Sequence, residues 1–470
     1  MVFPVIGGDG KPTGYDIDNS LRFNDGDSPK LTKTFGSAGT SVQTFTISFW
    51  VKKCLNGKWN DICGITDSSN NKLQFHFRNG DDLRINFFPG TGGDTSDFIT
   101  NQLFRDPSAW YHIVLAMDTT QGTEANRKKL YVNGSQVTSF ATQTFPSQNA
   151  NTGWNSAAEH QVGYAAQSNN YADIYLSDFY SIDGQALTPS SFGETNDNGV
   201  WIPKEYTGTY GNNGFKLEFK QTGTSANSSG IGADTSGNDH HFAVTNLAAT
   251  DVTTDTPTNN FATLNPLSEI STGVDFSEGN TRASIGAGST ERCVGNMGFT
   301  SGKWYYEVKY ISTSASASYL EVGFVNTNIS MRYHVRGSDG ERWDNGSPSS
   351  STSYRHDPGD IIGVYIDADN KKWYIQVNGS NEDVGNGTAD VSAGTGFVHQ
   401  NFAVTDFILP YFANASGSGG HVFEVNFGNA PFSISSSNAD ANGYGSFEYN
   451  PTNDGVDFYA LCTKNLAEYG

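Results

Sequence analysis

Residues 359–379 read GDIIGVYIDADNKKWYIQVNG. An apolar strand, Ile361-Ile362-Gly363-Val364-Tyr365-Ile366, stops at Asp367; a short turn follows, and Trp373-Tyr374-Ile375-Gln376-Val377 returns to close on Asn378-Gly379. β-Branched and aromatic residues suit a pleated, half-buried surface, and Asn-Gly suits a tight turn. The same plan occurs at residues 110–134, WYHIVLAMDTTQGTEANRKKLYVNG, where a strand ends in Asp118 and its return strand closes on Asn133-Gly134. The copies lie about 250 residues apart, far beyond the ~20–50-residue period of a solenoid. They predict two sandwiches of related design.

The rest of the chain repeats the signal with a period of two. Phe45, Ile47, Phe49 and Val51 alternate with Thr46, Ser48 and Trp50, as in a strand with one face in a core. Leu73-Phe75-Phe77, Leu83-Ile85-Phe87, Phe215-Leu217-Phe219, Tyr306-Val308-Tyr310, Leu320-Val322-Phe324 and Phe423-Val425-Phe427 do the same. Asn79-Gly80 and Asn345-Gly346 punctuate them. No window carries a 3.6-residue apolar stripe; Thr188-Pro189-Ser190-Ser191-Phe192-Gly193 promises one or two helical turns. With 53 Gly and only 16% charged residues, the composition is that of turn-rich β-structure. The expected fold is all-β: two β-sandwiches (17–220 and 261–435) joined by a Ser/Thr/Gly/Asn-rich connector (221–260) with some local order around His241-Phe242-Ala243-Val244, with an N-terminal arm (1–16) and a C-terminal segment (436–470).

Charge and cysteine content exclude several classes. Net charge is −21, from 28 Lys+Arg against 49 Asp+Glu. A broad grip on nucleic acid or an anionic membrane needs a basic face, so neither is an expected partner. Residues 1–8 lack the basic start and apolar core of a secretion signal, and runs such as 407–412 are far short of a membrane span. Synthesis in a cytoplasm and no membrane insertion are expected. Four cysteines cannot make a disulfide scaffold. Cys54 and Cys63 flank Asn56-Gly57 and a bridge across that turn is geometrically feasible, but a reducing compartment favours thiols.

The first half resembles the LamG/concanavalin-like lectin modules of marine bacteriophage structural proteins. The resemblance rests on Ile17-Asp18-Asn19-Ser20-Leu21-Arg22-Phe23-Asn24, on the strand at 45–52 and above all on residues 175–201, YLSDFYSIDGQALTPSSFGETNDNGVW. The second half resembles a SPRY-type sandwich, through Thr263-Leu264-Asn265-Pro266-Leu267, Gly302-Lys303-Trp304-Tyr305-Tyr306-Glu307-Val308 and the 359–379 hairpin. These resemblances imply two concanavalin-like jelly-roll β-sandwiches at a virion surface, in a tail fibre or spike-type adhesin that binds host cell-surface polysaccharide. A capsid decoration or head-fibre protein is the alternative, and a glycan hydrolase the third reading. Other virion proteins, docked by the arm, and a host cell-surface glycan are the implied partners, with a homo-oligomer, a trimer by analogy with phage fibres, as the implied assembly. A shared fold carries no fixed site residues.

Glycoside hydrolysis needs two carboxyl groups on one face, which on a strand means i and i+2 or i+4. Glu218, Glu307, Glu321 and Glu424 each stand without such a partner; Asp16/Asp18 lie in the arm and Asp367/Asp369 enter a turn. The chain is therefore expected to be a non-enzyme. Asp367-Ala368-Asp369 opens like a calcium loop, but Lys371 occupies the next ligand position. No metal site or cofactor is expected, Asn24-Asp25-Gly26-Asp27 being the one place for a structural calcium ion. No Gly-x-Ser-x-Gly elbow or phosphate loop appears.

One stretch stands out, residues 331–356, MRYHVRGSDGERWDNGSPSSSTSYRH. It concentrates arginine and aromatic residues in an acidic chain. Aromatic faces that stack on sugar rings, beside arginine forks that bind carboxylate or phosphate, are what acidic-glycan recognition needs. Arg332, Tyr333, Arg336, Arg342, Trp343, Tyr354 and His356 are the candidate glycan-binding residues, on a loop between core strands. The competing reading is a solvated loop whose arginines pair with Asp339, Asp344 and Asp357. Trp59 and Trp154 are secondary candidates.

Overall fold

The computed structural model describes residues 14–90, 95–288, 291–327, 331–344, 347–350, 352–404, 406–415, 417 and 419–470. The expected arm lies mostly outside them. The described chain is all-β apart from 3-10 turns and one short helix, Thr463–Tyr469, and forms two compact units that meet in sequence at Thr258 and Asn259. Each is a sandwich of two sheets, antiparallel except where noted below.

In the first unit, one sheet runs in the order Ser135–Gln136, Lys128–Val132, Trp110–Asp118, Thr44–Lys53, Ile174–Asp183, Ser20–Phe23 and Val252–Thr253. The other runs Phe140–Gln143, Ser96–Leu103, Asp82–Phe88, Lys72–Phe77, Asn60–Thr66, Glu159–Val162, Lys30–Thr34 and Ala243–Thr245. Phe45, Ile47, Phe49 and Val51 point between the sheets, where they meet Phe75, Phe179 and Trp154. The hairpin predicted at 110–134 is present, Ile113 facing Val132 and Leu115 facing Leu130. Thr46, Ser48 and Trp50 are buried as well, because residues 184–210 fold back over the outer face of this sheet. Trp201 lies so close there that a Cβ on Gly134 or Gly193 would sit 2.5 Å from its ring. The 3-10 turn Pro189–Ser191 stands where a helical turn was expected.

The expected connector is not a free linker. Ile231, Phe242 and Leu247 enter the first core, Ala243–Thr245 pairs with Lys30–Thr34, and Val252–Thr253 pairs with Ser20–Phe23. Buried Asp255 then binds the Lys52 ammonium and accepts from Trp110 Nε1 at 3.2 Å. Residues 221–258 complete this unit. Cys54 and Cys63 are not bridged, because Asn56-Gly57 carries the chain from one sheet to the other instead of turning a hairpin.

The second unit has a larger sheet ordered Val274–Ser277, Arg282–Ile285, His421–Asn426, Lys303–Thr313, Ile361–Asp367, Lys372–Val377 and Ser380–Asn381. The other is ordered Arg292–Val294, Ile408–Asn414, Leu320–Asn326, Arg332–Arg336, Arg342–Asp344 and Ser347–Ser350. The second predicted hairpin is there, with Val364 facing Ile375 and Ile366 facing Trp373. Residues 436–462, expected as an appended segment, roof the outer face of the larger sheet: Phe447, Phe458 and Ala460 pack on Tyr305, Tyr365 and Tyr374. The segment ends in a seam. Tyr459–Ala460 pairs parallel to Lys303–Thr313, Ala262 N donates to Leu461 O at 2.9 Å, and Thr463 N donates to Asn260 O at 2.9 Å. The outer face of the smaller sheet is left with a depression.

Candidate functional site

That depression is built by strand parity. On Arg332–Arg336, Tyr333 and Val335 point into the core, so Arg332, His334 and Arg336 point outward. Cross-strand pairing sets His334 opposite Trp343 on one side and Gly323 on the other, and sets Gly323 opposite Tyr411. Glycine at 323 leaves a gap; a Cβ there would lie 2.1 Å from Tyr333 O. Across that gap the His334 ring stacks on both neighbours, 5.5 Å and 28° from Trp343 and 5.7 Å and 27° from Tyr411. Arg292 and Ala413 pair at the far edge, and Glu321 lies between Arg336 and Ala413. These side chains line a pocket of about 190 Å³. That is smaller than the ~300–1,000 Å³ of a drug-sized cleft and suits one ring or one charged group.

The charges are unevenly committed. Arg336 binds Asp339 through two hydrogen bonds of 3.0 and 2.6 Å and reaches Glu341 at 2.7 Å. Its hydrogen bond to Asp339 raises its own pKa and lowers that of the carboxyl. Burial works against the Glu321 carboxylate, but the charge and contact of His334, 3.3 Å away, with Arg336 and Arg332, hold its pKa below the usual value. The Tyr411 hydroxyl is pushed up to about 12 by burial and by the Glu321 charge. Arg332 lies over the Trp343 ring, 5.5 Å from its centroid. Among the described residues neither Arg292 nor Arg332 is in an ion pair, and Arg292 Nε is buried without a hydrogen-bond partner. His334 is 1% exposed, and among the described residues its Nδ1 makes no hydrogen bond. Buried polar atoms left so are uncommon and call for an explanation.

Of the candidates read from residues 331–356, the structure brings Arg332, Arg336 and Trp343 together in this pocket and turns the other four away. They stand on strands and their flanks, not on one loop. Tyr333 has the opposite parity and packs on Phe324, Phe402 and His399. Arg342 shares that parity and donates to Val398 O at 3.0 Å. Tyr354 and His356 are core residues: the Tyr354 hydroxyl meets His356 Nδ1 at 2.8 Å, and His356 Nε2 meets Leu320 O at 3.1 Å. Burial lowers the His356 pKa to about 4 and raises that of Tyr354. The solvated-loop reading holds for Arg336, which is paired with Asp339, and not for Arg332. Sequence reasoning missed Arg292 and Tyr411, which only the pairing of distant strands brings in.

The remaining candidates find structural work. Trp154 is buried and donates to Ser181 Oγ, while Trp59 is 40% exposed above His76. Asp25 pairs with Lys58 at 2.9 Å, and Asp27 accepts from Asn24 at 2.7 Å. Asp367 accepts from Asn370, and Asp369 from Gly302 N. Among the described residues no three His, Cys, Asp or Glu side chains converge as a metal cluster, and no helix is long and apolar enough to cross a membrane. Glu307 is buried, accepting from Tyr305, Asn426, Glu448 N and Tyr449 N.

Residues 25–191 match the laminin G family model described as "Concanavalin A-like lectin/glucanases superfamily". The first unit therefore contains a LamG-type, concanavalin A-like domain. The pocket lies outside the matched residues. No curated protein matches the chain. Solved structures that resemble it include the following three. The SAP-like pentraxin of Limulus polyphemus is 16% identical, covering 37% of this chain and 80% of its own, with a TM-score of 0.28. The SPRY domain of human HERC1 is 15% identical, covering 34% and 94%, with a TM-score of 0.27. Domains LG4-5 of the mouse laminin alpha1 chain are 8% identical, covering 88% and 91%, with a TM-score of 0.30.

Proposed function

We propose that this chain is a carbohydrate-binding adhesin, not an enzyme, at the surface of a bacteriophage particle, of the tail-fibre or spike kind. The pocket around His334 would be where it holds host cell-surface polysaccharide. The observation that carries the reading is the stacked Trp343–His334–Tyr411 row beside two arginines that, among the described residues, are in no ion pair. Flat rings beside fixed polar groups are what sugar recognition asks for. A LamG-type domain in the same chain and the phage-like run at 175–201 support the class and the setting. One shallow pocket binds weakly, so an oligomer presenting many copies would supply the avidity an adhesin needs.

The test joins place and task. Immunogold labelling of intact particles, with adsorption blocking by the same antibody, is expected to mark the tail and stop adsorption. Label over the capsid with adsorption intact would overturn the adhesin in favour of a decoration protein. Reducing-sugar release from a bound polysaccharide would overturn the non-enzymatic half.

A further inference from the structure

We infer that the pocket selects an anionic sugar unit, a uronate carboxylate or a sugar sulfate, with Arg292 and Arg332 gripping the oxyanion. This rests on the carbohydrate-binding reading above and names the class of ligand within it. Three features carry it.

The first is the distribution of charge. In a chain of net −21, three arginines converge on one small pocket. Arg336 is already occupied by Asp339 and Glu341, whereas Arg292 and Arg332, among the described residues, are in no ion pair, Arg332 meeting the Trp343 ring and the Tyr411 hydroxyl but no carboxylate. Two guanidinium groups left beside a single internal carboxylate, Glu321, make a site that still lacks negative charge. A neutral sugar would leave both unanswered, and a partly buried charge without a partner is costly. A carboxylate or sulfate answers both through fork-shaped, charge-assisted hydrogen bonds.

The second is the set of orphaned polar atoms. Among the described residues, Arg292 Nε and His334 Nδ1 are buried without hydrogen bonds. His334 lies in the middle of the aromatic row with its Nε2 3.3 Å from the Glu321 carboxylate. A ring hydroxyl donates to one atom and accepts from another, so it can join the His334 ring to the ionised Glu321. Glu321 thus orients the sugar, while the arginines choose its charge.

The third is size. About 190 Å³ admits one substituted ring and not a stretch of polymer. The ring would lie against the partly exposed Trp343 with its acidic substituent toward Arg292 and Arg332, and the rest of the chain would run out over the sheet. Overall charge opposes any unspecific hold on a polyanion, so an acidic polysaccharide that binds must do so at a site.

The test is binding of the full chain to immobilised polygalacturonate (carboxylate), dextran sulfate (sulfate) and neutral dextran, with inorganic sulfate as a competitor. At least one acidic polymer is expected to bind and neutral dextran not to. Arg292→Gln and Arg332→Gln should each weaken binding about tenfold or more, with melting temperatures close to wild type. Arg332→Lys, which keeps the charge and loses the fork, should recover only part of it. Arg355→Gln, exposed and outside the pocket, should change nothing. Neutral dextran binding as well as the acidic polymers, through Trp343, would sink the anionic class and leave the carbohydrate reading standing. Acidic binding untouched by both arginine variants would overturn the site. If a broad glycan array, neutral and acidic, gave no binding at all, both readings would fall together.

Discussion

Each unit stacks a histidine between two aromatic rings on the outer face of a sheet. In the first, His112 lies between Trp50 and Trp201, at 4.8 and 6.0 Å with interplanar angles of 21°. In the second, His334 lies between Trp343 and Tyr411 at nearly the same spacings. The difference is in the nitrogens. His112 Nε2 meets Ser48 Oγ at 2.9 Å, and Nδ1 accepts from Trp201 Nε1 at 3.0 Å, so the stack is sealed under the chain's own roof. Among the described residues His334 Nδ1 has no hydrogen bond, and the ring lines a pocket. A similar stack of three rings is thus closed off in one sandwich and left beside a pocket in the other. What distinguishes a structural stack from a recognition surface here is where the polar atoms go.

That comparison can be broken most forcefully at the roof. Trp201→Ala removes the lid, strips His112 Nδ1 of its donor and leaves a void over Gly134 and Gly193. It is expected to cost about 3 kcal/mol, read from chemical denaturation of the full chain. Trp343→Ala should cost less than about 1 kcal/mol, while glycan binding falls about tenfold or more. Equal stability losses at both positions would mean that the second stack is structural too.

The histidines give the next largest contrast. His112→Phe keeps the stack but leaves Ser48 and Trp201 with unanswered buried hydrogen-bonding groups, at about 2 kcal/mol. His334→Phe keeps the stack and gives up only the 3.3 Å contact with Glu321, and should cost less than His112→Phe, about 1 kcal/mol, again by denaturation.

Acid should act on the sealed stack gradually. Burial lowers the His112 pKa to about 3 from the ordinary 6.5. Between those values the unfolded chain binds the proton that the folded chain refuses, so stability rises with pH across the window and is lost as pH falls below about 6.5. The slope is at most about 1.4 kcal/mol per pH unit. Buried His160, also lowered to about 3, adds to it. His112→Phe should flatten the dependence of the denaturation midpoint between pH 5 and 7, and an unchanged slope would remove His112 as its source.

How far these arrangements were legible in sequence depends on how local their causes are. The strands and both hairpins came through, because alternation and Asn-Gly turns act within a dozen residues. The roofs did not. Nor did most of the infill of the first core: Ile231 and Leu247 stand singly among Gly, Asn and Ala, too sparse to form a pattern, and only the local order around Phe242 could be read. The pocket was half legible. Treating 331–356 as one loop joined Tyr333 to Arg332, although neighbours on a strand face opposite ways; parity alone would have kept Arg332, His334 and Arg336 and discarded Tyr333. Arg292 and Tyr411 were out of reach, since they join the site only through pairing with strands far away in sequence.

The seam at 260–264 and 460–463 carries a consequence for synthesis. Its two sides leave the ribosome about 200 residues apart, which at ~5–20 residues per second is roughly 10–40 s. From the emergence of Tyr374 until Phe447–Ala460 follow, Lys303–Thr313 lacks its parallel partner, and Tyr305, Tyr365 and Tyr374 have no roof. The nascent second unit therefore passes through a stage with an open aromatic face, when association with its neighbours on the polysome competes with closure. The arrival of residues 447–463 decides which of the two wins.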